Sequence, residues 1–233
     1  MKKGGDVEAS NSVTYSIKFG DLIHKLTGKN VLPVKESDDV IRIITSALRT
    51  LLNYYGPQGN LRFVANRPND ISANTMNGTP NLEEELVRFF NDEAKAAGVN
   101  AKAQRLPLMG YPNISITVND RKLYYLDVKV TSREKRESAR DIYVSPGPII
   151  QFQIESAGEE QVLSFRVRKG NLHRKVRNDA HHIIVLCTAR RVGQRGSLGE
   201  WSLTQCKIYD ASDLQMKIKI EFNASFQHLT REL

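Results

Sequence analysis

The sequence predicts a mixed α/β fold: one central mixed β-sheet flanked by helices. Three observations carry this reading. Apolar residues recur at helical spacing in two segments, Asp38–Tyr55 and Asn81–Ala97. They alternate at strand spacing over Ile114–Val118 and Leu123–Thr131. A helix, a hairpin and a helix-to-strand unit follow one another, the order in which helix and sheet layers pack.

The 233 residues are read as a single domain, 1–233, long enough to bury a core without a metal or disulfide staple. With 40% apolar and 26% charged residues the chain is globular in composition. No run approaches the roughly 18 apolar residues of a membrane span. The start, Met1–Asp6, lacks the apolar stretch of a signal peptide. Cys187 and Cys206 have no metal-ligand spacing, so they are expected as small, reduced, buried residues of a cytoplasmic protein.

Residues 1–12 are small, polar and charged, and are expected to be flexible. The first helix, Asp38–Tyr55, turns Val40, Ile41, Ile44, Leu48, Leu51 and Leu52 inward and stops at Gly56-Pro57. A stretch rich in Asn, Pro, Gly and Thr follows from Asn66 to Pro80, so residues 38–80 form a helical and loop part. In the second helix Asn81 and Glu84 make a capping box, and three early acids complement the helix dipole. Leu82, Leu86, Phe89 and Phe90 form its inward stripe, and Gly98 stops it. Strands are expected at Val99–Leu106, at the two arms of a hairpin turning at Asn119-Asp120, and at Gln151–Ile154 and Val162–Val167. A short helix within Asn171–Ala180 leads into the strand Ile183–Cys187. Strands at Trp201–Ile208 and Met216–Phe222 complete the order, with Trp201 in the core.

The pleat of the hairpin concentrates chemistry on one face. Asp127, Lys129 and Thr131 point one way, and Leu126, Val128 and Val130 point the other. One register sets Asn113 across from Asp127 and Lys129. Such a cluster suits phosphodiester hydrolysis. A carboxylate holds a hard cation such as Mg²⁺ against the scissile phosphate. An ammonium two residues on positions the attacking water or stabilises developing phosphate charge.

The charge pattern agrees. Lys and Arg total 34 against 26 Asp and Glu, a formal charge of +8, which favours a polyanionic partner. Between Arg121 and Arg191 there are fifteen basic and eight acidic residues, so nearly all the excess lies there. Arg133, Lys135, Arg136 and Arg140 follow the Asp127 strand, and Arg168, Lys169, Arg174 and Lys175 form a second cluster. These are candidate phosphate contacts. Arg190, Arg191, Gln194 and Arg195, with Asn66, Arg67 and Asn74, are candidates for reading base edges. His181 and His182 are read as the end of a helix rather than as metal ligands.

Pro112-Asn113, thirteen intervening residues and Asp127-Val128-Lys129 resemble the motif of the PD-(D/E)xK nuclease superfamily, which includes most type II restriction endonucleases. The wording Gly110-Tyr-Pro-Asn-Ile-Ser-Ile and Glu221-Phe-Asn-Ala-Ser is similar to that of restriction enzymes. The resemblance implies a restriction-endonuclease-like core over residues 81–187. It also implies a Mg²⁺-dependent, sequence-specific endodeoxyribonuclease acting on double-stranded DNA, a homodimer, in a prokaryotic cytoplasm. Asp127 would bind metal, Lys129 would assist the attacking water, and Asn113 would occupy the second metal position. Members often add a glutamate from the first core helix. Glu83, Glu84 and Glu85 are the candidates, and the helical wheel favours Glu85. The family has Asp where this chain has Asn113. Either Asn113 is native and a helix carboxylate compensates, or it is a replacement that removes a charge. An inactive DNA-binding homologue and a nuclease for branched or damaged DNA are the rival readings.

Overall fold

The computed structural model describes residues 12–72, 79–108, 110–132, 149–156, 159–166, 169–212 and 214–221, with the backbone alone described at 12–17, 149–156, 159–166, 169–170 and 215–221. In chain order the elements are β1 (Ser12–Lys18), α1 (Phe19–Thr27), β2 (Val31–Leu32), α2 (Asp39–Tyr55) and β3 (Phe63–Ala65). After a short 3-10 turn at Pro68–Ile71 come α3 (Leu82–Ala96), β4 (Ala101–Arg105), β5 (Ile114–Val118) and β6 (Lys122–Ser132). Then follow β7 (Ile149–Ser156), β8 (Glu159–Arg166), α4 (Lys169–Lys175), β9 (Ala180–Arg195), β10 (Leu198–Asp210) and β11 (Gln215–Glu221).

The main sheet is mixed, as expected. Its strand order is β3-β10-β9-β6-β5-β4, with β2 also pairing β9. β6 and β9 run parallel, and β4, β5 and β6 form an antiparallel meander. Asn119 and Asp120 both take positive φ, 50° and 54°. They are the central residues of the turn closed by the Arg121 amide on the Val118 carbonyl, and Asn and Asp tolerate that backbone. A second sheet, β1-β11-β7-β8, is four-stranded and antiparallel. Strand spacing alone could not separate it from the first.

Each face of the main sheet carries its own apolar cluster. On one side α2 and α3 bring Ile44, Leu51, Leu86 and Phe90 against Leu126, Val128, Val130, Val185 and Cys187. On the other, α1 and α4 bring Phe19, Ile23, Leu172 and Val176 against Tyr125, Ile184 and Leu186. Sequence reading missed α1, because only Phe19, Leu22 and Ile23 are buried in nine residues. It ends at Gly28, whose φ of 72° is open to glycine without strain. Asn81 and Glu84 form the expected capping box on α3.

Two expectations are corrected. The cysteines are joined: Cys187 and Cys206 form a disulfide between β9 and β10, where the register sets them directly opposite, Cα atoms 4.1 Å apart. Their separation of nineteen residues carried no register information. The two histidines do not end a helix but lie in β9. His181 donates from Nδ1 to the Pro33 carbonyl, 2.7 Å away, and stacks on Tyr124. Among the described residues no helix is long and apolar enough to cross a membrane.

Candidate active site

The meander brings Asn113 and Asp127 together. The Asn113 amide donates to the Leu126 carbonyl at 3.2 Å, which seats Asn113 across from the Asp127 strand. The Lys129 ammonium lies 2.7 Å from Oδ2 of Asp127 on the same face. Asp127 is only 1% exposed. The expected polar face is therefore closed over at Asp127 rather than open to solvent.

The helix carboxylate beside this pair is Glu83, and Glu85 is not brought there. Glu83 is 2% exposed. Its Oε1 accepts from the Asn113 side-chain amide at 2.6 Å, and its Oε2 lies 3.2 Å from the Arg105 guanidinium. Burial, then the Asp127 charge, pushes its pKa from 4.5 up to about 7. Glu85 instead pairs with Arg88 at 2.6 Å, and its charge adds to the burial that raises the Tyr55 hydroxyl to about 12. The wheel contained this distinction. Glu83 precedes Leu86 by three positions and Phe90 by seven, the sheet-facing stripe. Glu85 precedes Phe89, whose ring stacks on Tyr54 of α2. Glu84 serves the cap and reaches Arg105 at 2.6 Å.

Lys175 is the residue that sequence reasoning placed on the wrong surface. It was expected among the phosphate contacts, yet it is 6% exposed. Its ammonium donates to the carbonyls of Gly110, at 2.5 Å, and Pro112, at 2.7 Å. It thereby clasps the loop that delivers Asn113. Burial lowers its pKa to about 8, against the opposing pull of Asp127 and Glu83. The missed signal is again helical spacing: Lys175 stands three residues after Leu172 on α4 and next to Val176 just past its end, and both apolar neighbours are buried. Arg174 is exposed. The Lys169 side chain and Arg133, Lys135, Arg136, Arg140 and Arg168 lie outside the described residues, as does Asn74. Arg67 faces Asp70 at 3.4 Å. Beneath the same loop, which carries a cis Tyr111–Pro112 bond, the Tyr111 hydroxyl and Nδ1 of His182 share a hydrogen bond of 2.5 Å.

A family model described as the type II restriction enzyme MjaV family matches residues 13–174 and 151–232. The chain belongs to this family of type II restriction enzymes. The type II restriction enzyme MjaV of Methanocaldococcus jannaschii is 24% identical over 227 residues, 93% of this chain and 86% of the relative. No solved structure matches the chain significantly.

The donor set of this restriction enzyme fits a hard cation. Oδ1 of Asp127 is buried and accepts no hydrogen bond among the described residues. An unsatisfied buried carboxylate oxygen is costly, and a cation removes that cost. Mg²⁺ binds through one or two carboxylates and retains water. Asp127 and Glu83 supply two carboxylates, and Asn113 can add only an amide carbonyl. No group of three or more His, Cys, Asp or Glu side chains is assembled for a metal among the described residues.

The Glu83 shift has a pH signature. Its folded pKa is raised, so the stability it contributes is present below about pH 4.5 and is lost as pH rises through about 7. His182 acts in the opposite sense. Burial depresses it from 6.5 to about 3, so its contribution is present above pH 6.5 and is lost as pH falls toward 3. The Glu83 effect is therefore read as a difference. Relative to Glu83→Gln, the metal-free wild type is expected to lose on the order of 3 kcal/mol between pH 4.5 and 7.5. Urea unfolding midpoints across that range measure it, and a flat difference contradicts the assignment.

Proposed function

We propose that this restriction enzyme is a Mg²⁺-dependent, sequence-specific endodeoxyribonuclease that hydrolyses phosphodiester bonds in double-stranded DNA. The observation that carries the reading is the buried Asp127 carboxylate, with Oδ1 accepting no hydrogen bond among the described residues and Oδ2 paired with the Lys129 ammonium 2.7 Å away on the same strand. Asp127 and Glu83 would hold the metal, with the Asn113 carbonyl beside them. When bound, Mg²⁺ would neutralise charge on the scissile phosphate and acidify water.

The chain's own residues do the remaining work. Lys129, 21% exposed at its side chain, is placed to donate to the attacking water or to a phosphate oxygen. Lys175 and the Gly110–Pro112 carbonyls fix the Asn113 loop. Burial of Asp127 and Glu83 keeps bulk water from the carboxylates, which strengthens the charge interactions between them. Arg174 and the basic residues from Arg133 to Arg140, with Arg168 and Lys169, would grip phosphates and make affinity fall with salt. A homodimer would present two such sites to the two strands of a palindrome.

Digestion of supercoiled plasmid in Mg²⁺, Mn²⁺ and EDTA tests the reading. Linear products with either metal and none in EDTA are expected. A second reading, an inactive DNA binder, draws on the uncharged Asn113, whose amide occupies Oε1 of Glu83. DNA binding without cleavage in either metal would favour it.

A further inference from the structure

The last third of β9 stands apart from the rest of the strand. Residues 180–189 are buried or half-buried between the two apolar clusters, and residues 190–195 are exposed except for half-buried Gly193. The change comes where β6 ends, since Ser132 is the last residue paired with β9, opposite Ala189. Beyond that point β9 pairs only with β10 among the described residues, closing through Gly196, φ 62°, and Ser197.

The register assigns each side chain to a face. Asp127 pairs with Ile184, Lys129 with Leu186 and Thr131 with Thr188. Paired residues share a face, and alternation puts Arg190 on that face too. Arg190 thus continues the line of the catalytic cluster, about 13 Å along the strand from the level of Lys129. That is about four base-pair rises of B-DNA. Register then slips between Glu200 and Trp201, leaving Val192 as a bulge residue, 42% exposed. Bulges of this kind redirect side chains beside functional sites. Either side of it Arg191 and Gln194 are tied by a 3.4 Å hydrogen bond, while Arg195 pairs with Glu200 at 3.2 Å. Arg190 has no hydrogen-bond or ion-pair partner recorded among the described residues.

We infer that residues 190–195 form an exposed strand edge that enters the major groove of duplex DNA, with Arg190 reading a base edge a few base pairs from the cut. Two features favour base reading over phosphate gripping. The side chains of this stretch are exposed at every position but Gly193, and among the described residues it is the outer strand beside β10, whose Gly199–Trp201 pair in turn with β3, so it offers a strand edge to a groove about 12 Å wide. Its chemistry, three Arg and one Gln among six residues, matches the bidentate partners of guanine and adenine. The inference rests on the proposed DNA substrate, and its test is kept separate from cleavage.

The full-length wild type, Arg190→Ala and Arg190→Lys are each used to select bound duplexes from a randomised pool in Ca²⁺, without any cleavage step. Salt dependence of binding to the best duplex is measured in parallel. The wild type is expected to enrich a defined sequence. Arg190→Ala is expected to lose preference at one or two base pairs by about 10- to 100-fold, with the remaining positions unchanged. Arg190→Lys is expected to restore part of it. Arg190 is exposed, so an unchanged melting temperature checks the fold. Three results would overturn the inference: no enrichment by the wild type, an unaltered preference in Arg190→Ala, or a uniform loss across sequences with a salt slope reduced by about one, the mark of a phosphate contact. Enrichment without plasmid cleavage would instead sink only the hydrolytic reading.

Discussion

Asp127→Asn is expected to lower Mg²⁺-dependent cleavage by at least about 10²- to 10³-fold while the protein stays folded. The side chain is 1% exposed and one of its oxygens is unsatisfied. Asparagine keeps the shape and removes a charge that the metal-free protein holds at a cost. Lys129 loses the charge of one partner but is partly exposed, so water can solvate it. Melting without metal should therefore be unchanged or slightly higher. The divalent-ion effect on melting should disappear. A ligand at a hundred times its Kd stabilises the wild type by about 2.7 kcal/mol, which the variant would forfeit. Retained cleavage with a normal metal response would remove Asp127 from the site.

Asn113→Asp has the opposite expected sign. The Asn113 amide now donates to Glu83 at 2.6 Å. Aspartate replaces that donor with a second acceptor, and Asp127 already raises Glu83. Without metal the variant should lose about 1–3 kcal/mol of stability. With Mg²⁺ the three carboxylates gain a shared counter-charge, so metal affinity should rise and cleavage should increase by about 10²-fold. Equal or lower cleavage by the variant would mean that Asn113 is the residue the site was built around, with Glu83 and Asp127 sufficient.

Much of this site was legible because strand periodicity is strict. Period two put Asp127 and Lys129 on one face and Val128 on the other, and the meander did the rest. The helix N-terminus was legible too, since Asn81 and Glu84 are spaced for a capping box. Three features were not. Glu83 and Glu85 both lie near the apolar stripe of α3, and only the neighbouring elements decide which one faces the sheet. Lys175 read as surface charge because basic residues flank it, although Leu172 and Val176 mark its face as buried. Pairing between distant segments was also hidden, so the four-stranded sheet and the Cys187–Cys206 pair appeared only with the fold.

The central claim is that the Asp127–Lys129 face hydrolyses duplex DNA at a defined sequence. The most direct measurement is digestion of a sequenced plasmid in Mg²⁺ by the wild type, Asn113→Asp and Asp127→Asn, followed by mapping every new end. The account predicts ends at one recurring sequence from the first two proteins and none from the third. Ends scattered without sequence preference, or recurring ends from Asp127→Asn, would contradict it.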